Sequence, residues 1–240
     1  MRKFVSKIIA AADPKGNVNA ILQLAQEAVN QRADAIALVG NLSDKNSTAG
    51  GYGPILKALA EPHLPAFYVP GSEDVPFAQF LRQAANLEIV YPHLRGVHAT
   101  FAIAPGYVVF SGMGGVIHDD PATVRDESNC LCYPGWEAEY RLKFLHELKD
   151  YQKVLMFATN PEHKGLGFKG STTVAEIINT YVPRIVLVAD EPRKREIIGK
   201  SLVIALGSVR EGQFTIVDLR THEISDGQLN LAPAEDTKAA

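Results

Sequence analysis

Apolar runs alternate with helix-like patterns along the first half of the chain. Residues 6–12 are almost wholly apolar and predict a buried strand, and apolar side chains recur at helical spacing in the residues that follow. Two more apolar runs, at 35–39 and 66–69, are each followed by a helical pattern, at 55–60 and 77–85. This order predicts parallel strands joined by right-handed crossovers, with helices covering the sheet.

The middle of the chain changes character. Residues 101–104 and 107–110 flank a Pro-Gly pair, which predicts an antiparallel hairpin leading into a glycine-rich segment at 112–115. That segment lacks the third glycine of a dinucleotide fingerprint, so we interpret it as close packing of strand ends. A helix is predicted over 135–150, with a stripe of Trp136, Tyr140 and Phe144 that indicates core or subunit contact.

The second half predicts a further strand at 154–157, a helix at 172–181 and a strand at 185–188. Runs at 202–206 and 214–219 predict an antiparallel meander. Together the elements predict an α/β fold in which two mixed sheets pack face to face with helices outside, a four-layer α/β/β/α sandwich. One domain is expected over 1–228, and the loss of periodicity over 229–240 predicts a disordered tail.

Composition narrows the function classes. The 240 residues are 46% hydrophobic and 21% charged, which suits one sizeable core. The formal charge of -3 provides no basic field for nucleic acid or an anionic membrane, and no apolar stretch is long enough for a membrane span or signal peptide. Cys130 and Cys132, the two cysteines, are expected to be reduced thiols, with a redox role as the alternative. We therefore predict a cytoplasmic protein.

Four polar loops each follow a predicted strand. They are Asp13-Pro14-Lys15-Gly16-Asn17, Gly40-Asn41-Leu42-Ser43-Asp44, Gly71-Ser72-Glu73-Asp74 and Ala189-Asp190-Glu191-Pro192. Loops at the carboxyl ends of parallel strands converge on one crevice, so these clusters are expected to be neighbours in space.

In order and spacing the loops resemble the motifs of calcineurin-like metallophosphoesterases. That superfamily presents Asp-x-His, Gly-Asp-x-x-Asp, Gly-Asn-His-Asp or Glu, a lone His before a proline, and Gly-His-x-His. The resemblance extends over most of residues 4–219 and includes the segment 205–214, which is similar to the family's closing Gly-Ser-x-x-x-Gly. It implies the metallo-dependent phosphatase-like fold and a site in which two metals clamp a phosphate and generate the attacking hydroxide.

The chain departs from the family pattern at most metal positions. Asp13 matches the first aspartate, but Lys15 replaces a histidine ligand, and Asn41 replaces the aspartate that bridges the two metals. Ser72 and Glu73 replace the Asn-His pair. A protonated lysine repels a metal, and an amide lacks the charge that lets two dications lie about 3.5 to 4 Å apart.

The last two motifs have also changed. The lone histidine would fall at Ala158 or Thr159, and Asp190 and Pro192 stand at the two histidines of the closing motif. The resemblance thus implies a divergent branch with degenerate metal-binding motifs, in which a standard dinuclear centre is not expected.

Two outcomes remain for the altered crevice. Asp13, Asn41, Glu73 and Asp190 are oxygen donors at the family's metal positions, and they could hold a single Mg²⁺, Mn²⁺ or Ca²⁺. Alternatively, the Lys15 ammonium replaces part of the metal charge and leaves a metal-free pocket for an anion, which is the interpretation we favour. A plainer possibility is a solvated rim of carboxylates.

The remaining site predictions follow from position. Lys15, Asn17, Ser72 and Asp74 are the predicted ligand-binding residues of the same loops, a set separate from the metal positions. His118 and His163 follow loops that could reach the crevice, so they are the candidate acid, base or phosphate donor.

Three functions compete. The favoured one is a metallophosphoesterase-like protein that has lost most of its dinuclear site and binds a phosphorylated small molecule or a partner with weak or no hydrolysis. The second is an active phosphoesterase with a rearranged, oxygen-rich mononuclear site. The third is a homo-oligomer whose functional surface lies around the aromatic helix.

Overall fold

The computed structural model describes residues 4–44, 51–124, 129–166 and 170–231. A first sheet of six strands has the order β14-β13-β1-β2-β3-β4, in which β1 to β4 are parallel and β13 is antiparallel to both neighbours. Its strands are β1 (Lys7–Ala12), β2 (Ala35–Gly40), β3 (Ala66–Pro70), β4 (Leu94–Gly96), β13 (Gln213–Asp218) and β14 (Ile224–Gln228).

The second sheet has the order β11-β12-β10-β9-β6-β5, with a parallel centre and an antiparallel strand at each edge. Its strands are β5 (Phe101–Ala104), β6 (Val108–Met113), β9 (Gln152–Phe157), β10 (Ile185–Val188), β11 (Lys194–Ile198) and β12 (Ser201–Ala205). A small parallel pair, β7 (Val116–His118) and β8 (Cys132–Pro134), lies apart from both sheets.

Five α-helices cover the sheets in the described ranges. They are α1 (Val18–Asn30), α2 (Tyr52–Ala60), α3 (Phe77–Val90), α4 (Gly135–Leu142) and α5 (Thr172–Tyr181), with short 3-10 turns at Pro121–Thr123, Lys143–His146 and Val209–Glu211. Two helices begin at capping side chains of the expected type. The side chain of Asn17 accepts from Ala20 N before α1, and that of Ser171 accepts from Val174 N before α5.

Three apolar cores separate four layers. The first lies between the helices α1 to α3 and the first sheet, the second between the two sheets, and the third between the second sheet and α4 and α5. In the middle core the rings of Phe67 and Phe110 stack with centroids 3.8 Å apart. The predicted four-layer sandwich is therefore confirmed.

The predicted meander at 202–206 and 214–219 is wrong. The two runs lie in different sheets, because β12 pairs with β10 and β11 whereas β13 pairs with β1 and β14. The 3-10 turn Val209–Glu211 carries the chain from one sheet to the other.

The helix predicted over 135–150 is shorter than expected. It ends at Leu142, and the chain continues as a 3-10 turn over Lys143–His146 in which Leu145 is fully buried. Trp136 and Tyr140 are each 61% exposed, so this part of the aromatic stripe is surface rather than core. Their predicted role in subunit contact stays a prediction.

Three local features bear on sequence predictions. A Cβ on Gly112 would lie 1.8 Å from the Met156 carbonyl oxygen, which confirms the predicted close packing at the glycine-rich segment. Cys130 and Cys132 are not joined in a disulfide in the described structure. Leu229, inside the predicted tail, is buried and its amide donates to Gly212 O, while residues 232–240 lie outside the described part.

Among the described helices, none has the length and apolar character needed to cross a membrane.

Candidate functional site

The carboxyl ends of the central strands of both sheets meet at one crevice, which we define by residues 13–17, 41–44, 71–74 and 189–191. Gly40 marks the meeting point. A Cβ there would lie 2.3 Å from Oδ1 of Asp13 and 2.9 Å from Cβ of Ala189, so the close approach of the two sheets requires a glycine, as does its φ of 92°. The predicted convergence of the loops is therefore seen in the structure.

Asp13 lies against the loop that follows β2. Its Oδ1 accepts from the backbone amide of Asn41 at 2.7 Å, and its own amide donates to Val39 O. Burial raises the pKa of Asp13, and the nearby Glu191 and Glu73 carboxylates raise it further, whereas the Asn41 hydrogen bond and the Lys15 ammonium lower it. The carboxylate thus lies in a crowded, predominantly acidic part of the crevice.

Asn41 joins a second pair of loops. Its Oδ1 accepts from the Glu73 amide at 2.9 Å. A Cβ on Gly71 would lie 2.1 Å from the same oxygen, so the Asn41 side chain fills the space that the glycine leaves open. The oxygen at the family's bridging position is therefore engaged in holding the loops after β2 and β3 together.

Asp74 is fully buried and acts as a clamp between the same loops. Its carboxylate accepts from the amides of Leu42, Ser43 and Gly71 at 2.8 to 3.1 Å, and from the Ser43 hydroxyl. Burial raises the pKa of Asp74 to about 7, and these hydrogen bonds oppose that rise. With both oxygens used inside the fold, this predicted ligand-binding residue has a structural role in the geometry we observe.

The other predicted ligand-binding residues differ in availability. Asn17 uses its side chain to cap α1. Lys15 is half-buried beside Asp13, and its backbone amide donates to Asn41 O. Ser72 is half-buried, and its carbonyl accepts from Leu131 N. Lys15 and Ser72 are therefore the two of the four whose side chains are not used by a hydrogen bond among the described residues.

Asp190 meets a residue that the sequence did not single out. Asn160, which follows β9, donates through Nδ2 to Oδ2 of Asp190, while its own Oδ1 is buried without a partner in the described structure. Burial raises the pKa of Asp190, against the effects of Asn160 and the Lys194 ammonium. One feature of the sequence could have indicated Asn160. It follows a buried strand, as do the residues of the other crevice loops.

The two candidate histidines form no hydrogen bond with this set among the described residues. His118 is half-buried on β7, and His163 accepts through Nδ1 from Gly165 N and lies 3.9 Å from Oε2 of Glu196 on β11. Within the described ranges, neither forms a hydrogen bond or ion pair with Asp13 or Asp190. Their catalytic role stays a prediction.

His98 is the most strongly perturbed histidine of the described residues, although it lies in no sequence motif. Its Nδ1 accepts from Gly114 N at 2.9 Å, and its Nε2 lies 3.1 Å from the Tyr133 hydroxyl. Burial, assisted by the Arg141 charge, lowers the pKa of His98 to about 3. His98 is therefore a neutral ring that holds the segment after β6.

Two mixed sheets between helices, with polar loops gathered at the strand ends, define a metallo-dependent phosphatase-like fold. The chain belongs to the family described as metallophosphoesterase, calcineurin superfamily, whose model matches residues 43–229. This confirms the superfamily expected from the loop motifs.

Solved structures agree. The protein TT1561 of Thermus thermophilus is 43% identical over 93% of this chain and 99% of its own, with a TM-score of 0.89. A dimetal phosphatase from Danio rerio is 10% identical over 94% and 96%, with a TM-score of 0.63, and a novel archaeal phosphodiesterase is 12% identical over 93% and 99%, with a TM-score of 0.55. These two show the fold alone. No curated protein sequence matches the chain.

Proposed function

We propose that the crevice binds a phosphorylated small molecule with weak or no hydrolysis, and that it does not assemble a dinuclear metal centre. The observation that carries this proposal is the neutral Asn41 side chain at the family's bridging position, whose Oδ1 already accepts from the Glu73 amide. The other oxygens at the family's metal positions are also hydrogen-bonded. Oδ1 of Asp13 and Oδ1 of Asn41 each accept a backbone N–H from the neighbouring loop, and Oδ2 of Asp190 accepts from Asn160.

The donor set supports the same conclusion. Two divalent ions held close together need bridging negative charge, and the bridging position is a neutral amide. No group of three or more His, Cys, Asp or Glu side chains suited to a metal occurs in the described part of the chain. The residues present do not fit the two-metal site, so we assign no chemical step to it.

Lys15 supplies the positive charge of the proposed pocket. It stands where the family has a histidine ligand, and it lies close enough to Asp13 to lower the pKa of that carboxyl. An ammonium group is a common phosphate ligand and needs no metal to act as one. The ligand class follows from this charge and from the family's substrates.

A second candidate is a phosphoesterase with one Mg²⁺, Mn²⁺ or Ca²⁺, which the oxygens of Asp13, Asn41, Glu73 and Asp190 would bind after moving closer together than in the described structure. The crowding of carboxylates favours it, because Glu73 and Glu191 both raise the pKa of Asp13 and a bound cation would relieve that repulsion. This candidate predicts hydrolysis that depends on the added metal.

The test combines binding, metal content and turnover. Protein purified without chelator is analysed for metals, titrated calorimetrically with AMP and inorganic phosphate, and assayed with a generic phosphodiester in Mn²⁺ and Mg²⁺. We expect binding of AMP or phosphate without stoichiometric metal and without turnover. Stoichiometric metal together with turnover would overturn the proposal in favour of the second candidate.

A matched pair of lysine variants locates the binding. Lys15→Ala is expected to weaken phosphate or AMP binding about tenfold or more, because it removes a charge-assisted contact. Lys200→Ala removes an exposed lysine next to β12 and should leave binding unchanged. Equal losses in both variants, or no binding to the parent protein, would contradict the assignment to the crevice.

A further inference from the structure

A cavity of about 200 Å³ lies between α3 and the edge of the first sheet. One wall consists of apolar side chains of α3, including Phe80, Leu81 and Ala84, and Pro70 contributes from the end of β3. Apart from His98, Glu88 is the one ionisable acidic or basic side chain among the described residues that line the cavity. An apolar cavity with one fixed polar group is the usual form of a small-molecule site.

Glu88 is held in a defined position. Its Oε1 accepts from the Tyr68 hydroxyl at 2.6 Å and from Gly96 N at 2.8 Å. A Cβ on Gly96 would lie 2.9 Å from Oε1 and 3.1 Å from the Tyr68 oxygen, so the absence of a side chain there makes room for this arrangement. Burial and the Glu88 carboxylate raise the pKa of Tyr68, which keeps its hydroxyl a donor.

The second carboxylate oxygen of Glu88 remains available. Both hydrogen bonds of the side chain end on Oε1, and Oε2 has no hydrogen bond or ion pair with any residue in the described ranges. Oε2 therefore provides a negative charge next to the cavity, oriented by the contacts that fix Oε1.

The histidine in the lining does not neutralise this charge. His98 accepts a hydrogen bond from Gly114 N at Nδ1, so the ring is neutral in this arrangement. A ligand with a positively charged end would therefore be attracted by the Glu88 carboxylate, and no cationic side chain among the described lining residues would repel it.

We propose that this cavity is a binding site for a small amine with an apolar, ring-sized body, in which the ammonium group pairs with Glu88 Oε2 and the body packs against α3. The cavity volume suits a fragment of this size rather than a nucleotide. The site is separate from the crevice, and the proposal does not depend on phosphate binding there.

The probe is 2-phenylethylamine, and 2-phenylethanol is its uncharged counterpart of nearly the same shape. Calorimetric titration of the full chain with each compound measures the contribution of charge, and the amide signal of Gly96 in two-dimensional NMR reports contact at Glu88. We expect saturable binding of the amine, about tenfold tighter than that of the alcohol, with a shift of the Gly96 signal.

Three variants complete the experiment. Glu88→Gln keeps an oxygen acceptor for Tyr68 and Gly96 but removes the charge, so it should reduce the preference for the amine to about twofold or less. Glu176→Gln makes the same change on the exposed face of α5 and should change nothing. Ala85→Leu, at an exposed lining position, should block both compounds.

The outcomes separate cleanly. Equal affinity for amine and alcohol, an amine preference that survives Glu88→Gln, or no saturable binding by the folded parent protein would each overturn the proposal. A normal thermal unfolding transition of Glu88→Gln excludes misfolding as the cause of lost binding.

Discussion

The backbone amide of Asn41 donates a 2.7 Å hydrogen bond to Oδ1 of Asp13, which joins the loops after β1 and β2 at the first metal position of the family. The Asn41 side chain in turn accepts from the Glu73 amide. Asn41 thus connects three loops of the crevice. Its side chain is a neutral amide, whereas the family's bridging aspartate would supply a negative charge.

Replacing that amide by a carboxylate tests the role of charge. Asn41→Asp keeps an acceptor for the Glu73 amide but adds a negative charge beside Asp13. We expect the free energy of unfolding in chelator to fall by about 1 to 2 kcal/mol through like-charge repulsion. Added Mn²⁺ should recover the loss. Urea unfolding in EDTA and in MnCl₂ measures both effects.

The matched control is Asn179→Asp, which changes an exposed amide near the end of α5. It should cost little in chelator and gain nothing from Mn²⁺. If Asn41→Asp is as stable as the parent in EDTA, the crevice is more solvated than its burial indicates.

His98 should make the protein less stable as the pH falls. Its pKa is about 3 in the folded protein against 6.5 when unperturbed, so the folded state binds fewer protons. Stability is therefore fully present above pH 6.5 and is lost progressively as the pH falls from there toward 3. Between about pH 7 and pH 5 we expect a loss of about 1 to 2 kcal/mol from this residue.

His98→Asn isolates the effect, since its side-chain oxygen can accept from Gly114 N but does not titrate. Chemical unfolding across this pH range should show a shallower slope for the variant than for the parent. Parallel slopes for His98→Asn and the parent would contradict the assignment of a buried neutral ring.

The central strands and the hairpin strand β5 were predictable from sequence, but the edge strands β4, β11 and β14 were not. β1 to β3 and β10 are buried on both faces and appear as continuous apolar runs. β11 and β14 are polar edge strands without such a pattern. They are joined across the two sheets by the ion pair of Arg195 and Asp226, at 2.6 Å, which no local pattern could indicate.

The convergence of the four loops was predictable from sequence, but the contacts of each residue in them were less so. Motif order located the crevice because strand ends converge in this topology. It could not show that the Asp74 carboxylate accepts hydrogen bonds from four donors. Nor could it show that Asn160 donates to Asp190. Both arrangements depend on contacts between residues far apart in the chain. His98 depends likewise on a tertiary contact with Gly114.

Gly112 should be intolerant of any side chain. A Cβ there would lie 1.8 Å from the carbonyl oxygen of Met156 on the adjacent strand, and backbone cannot move aside cheaply. We expect Gly112→Ala to lower the free energy of unfolding by about 3 kcal/mol or more, or to prevent folding. Yield of soluble protein and urea unfolding measure the effect.

Gly53 is the contrasting glycine. It lies in α2, and the nearest atom to a Cβ there, Oε1 of Gln83, is 4.0 Å away. Gly53→Ala should therefore change the free energy of unfolding by less than about 1 kcal/mol, because open space receives the methyl group while Pro54 restricts a helical residue before it. If Gly112→Ala and Gly53→Ala changed the free energy of unfolding by similar amounts, the strands β6 and β9 would lie farther apart at Gly112 than the structure shows.

Asp119 should contribute to stability by capping α5 from another part of the chain. It accepts from the Ser171 hydroxyl at 2.7 Å and from the amides of Thr172 and Thr173 at 2.8 and 3.0 Å. Burial raises its pKa, but these hydrogen bonds outweigh that effect, so the pKa is lowered from 3.8. The contribution is therefore present above pH 3.8 and lost as the pH falls below it.

Asp119→Ala should lower the free energy of unfolding at neutral pH by about 1 to 2 kcal/mol, because it leaves helix-terminal donors unpaired. Asp120→Ala removes the same charge at the next residue, which caps a three-residue turn, and should cost less than half as much. Urea unfolding at neutral pH compares the two. The hydrogen bonds to α5 distinguish Asp119 from Asp120. If both substitutions lowered the free energy of unfolding equally, the loss would come from the change in net charge and not from these hydrogen bonds.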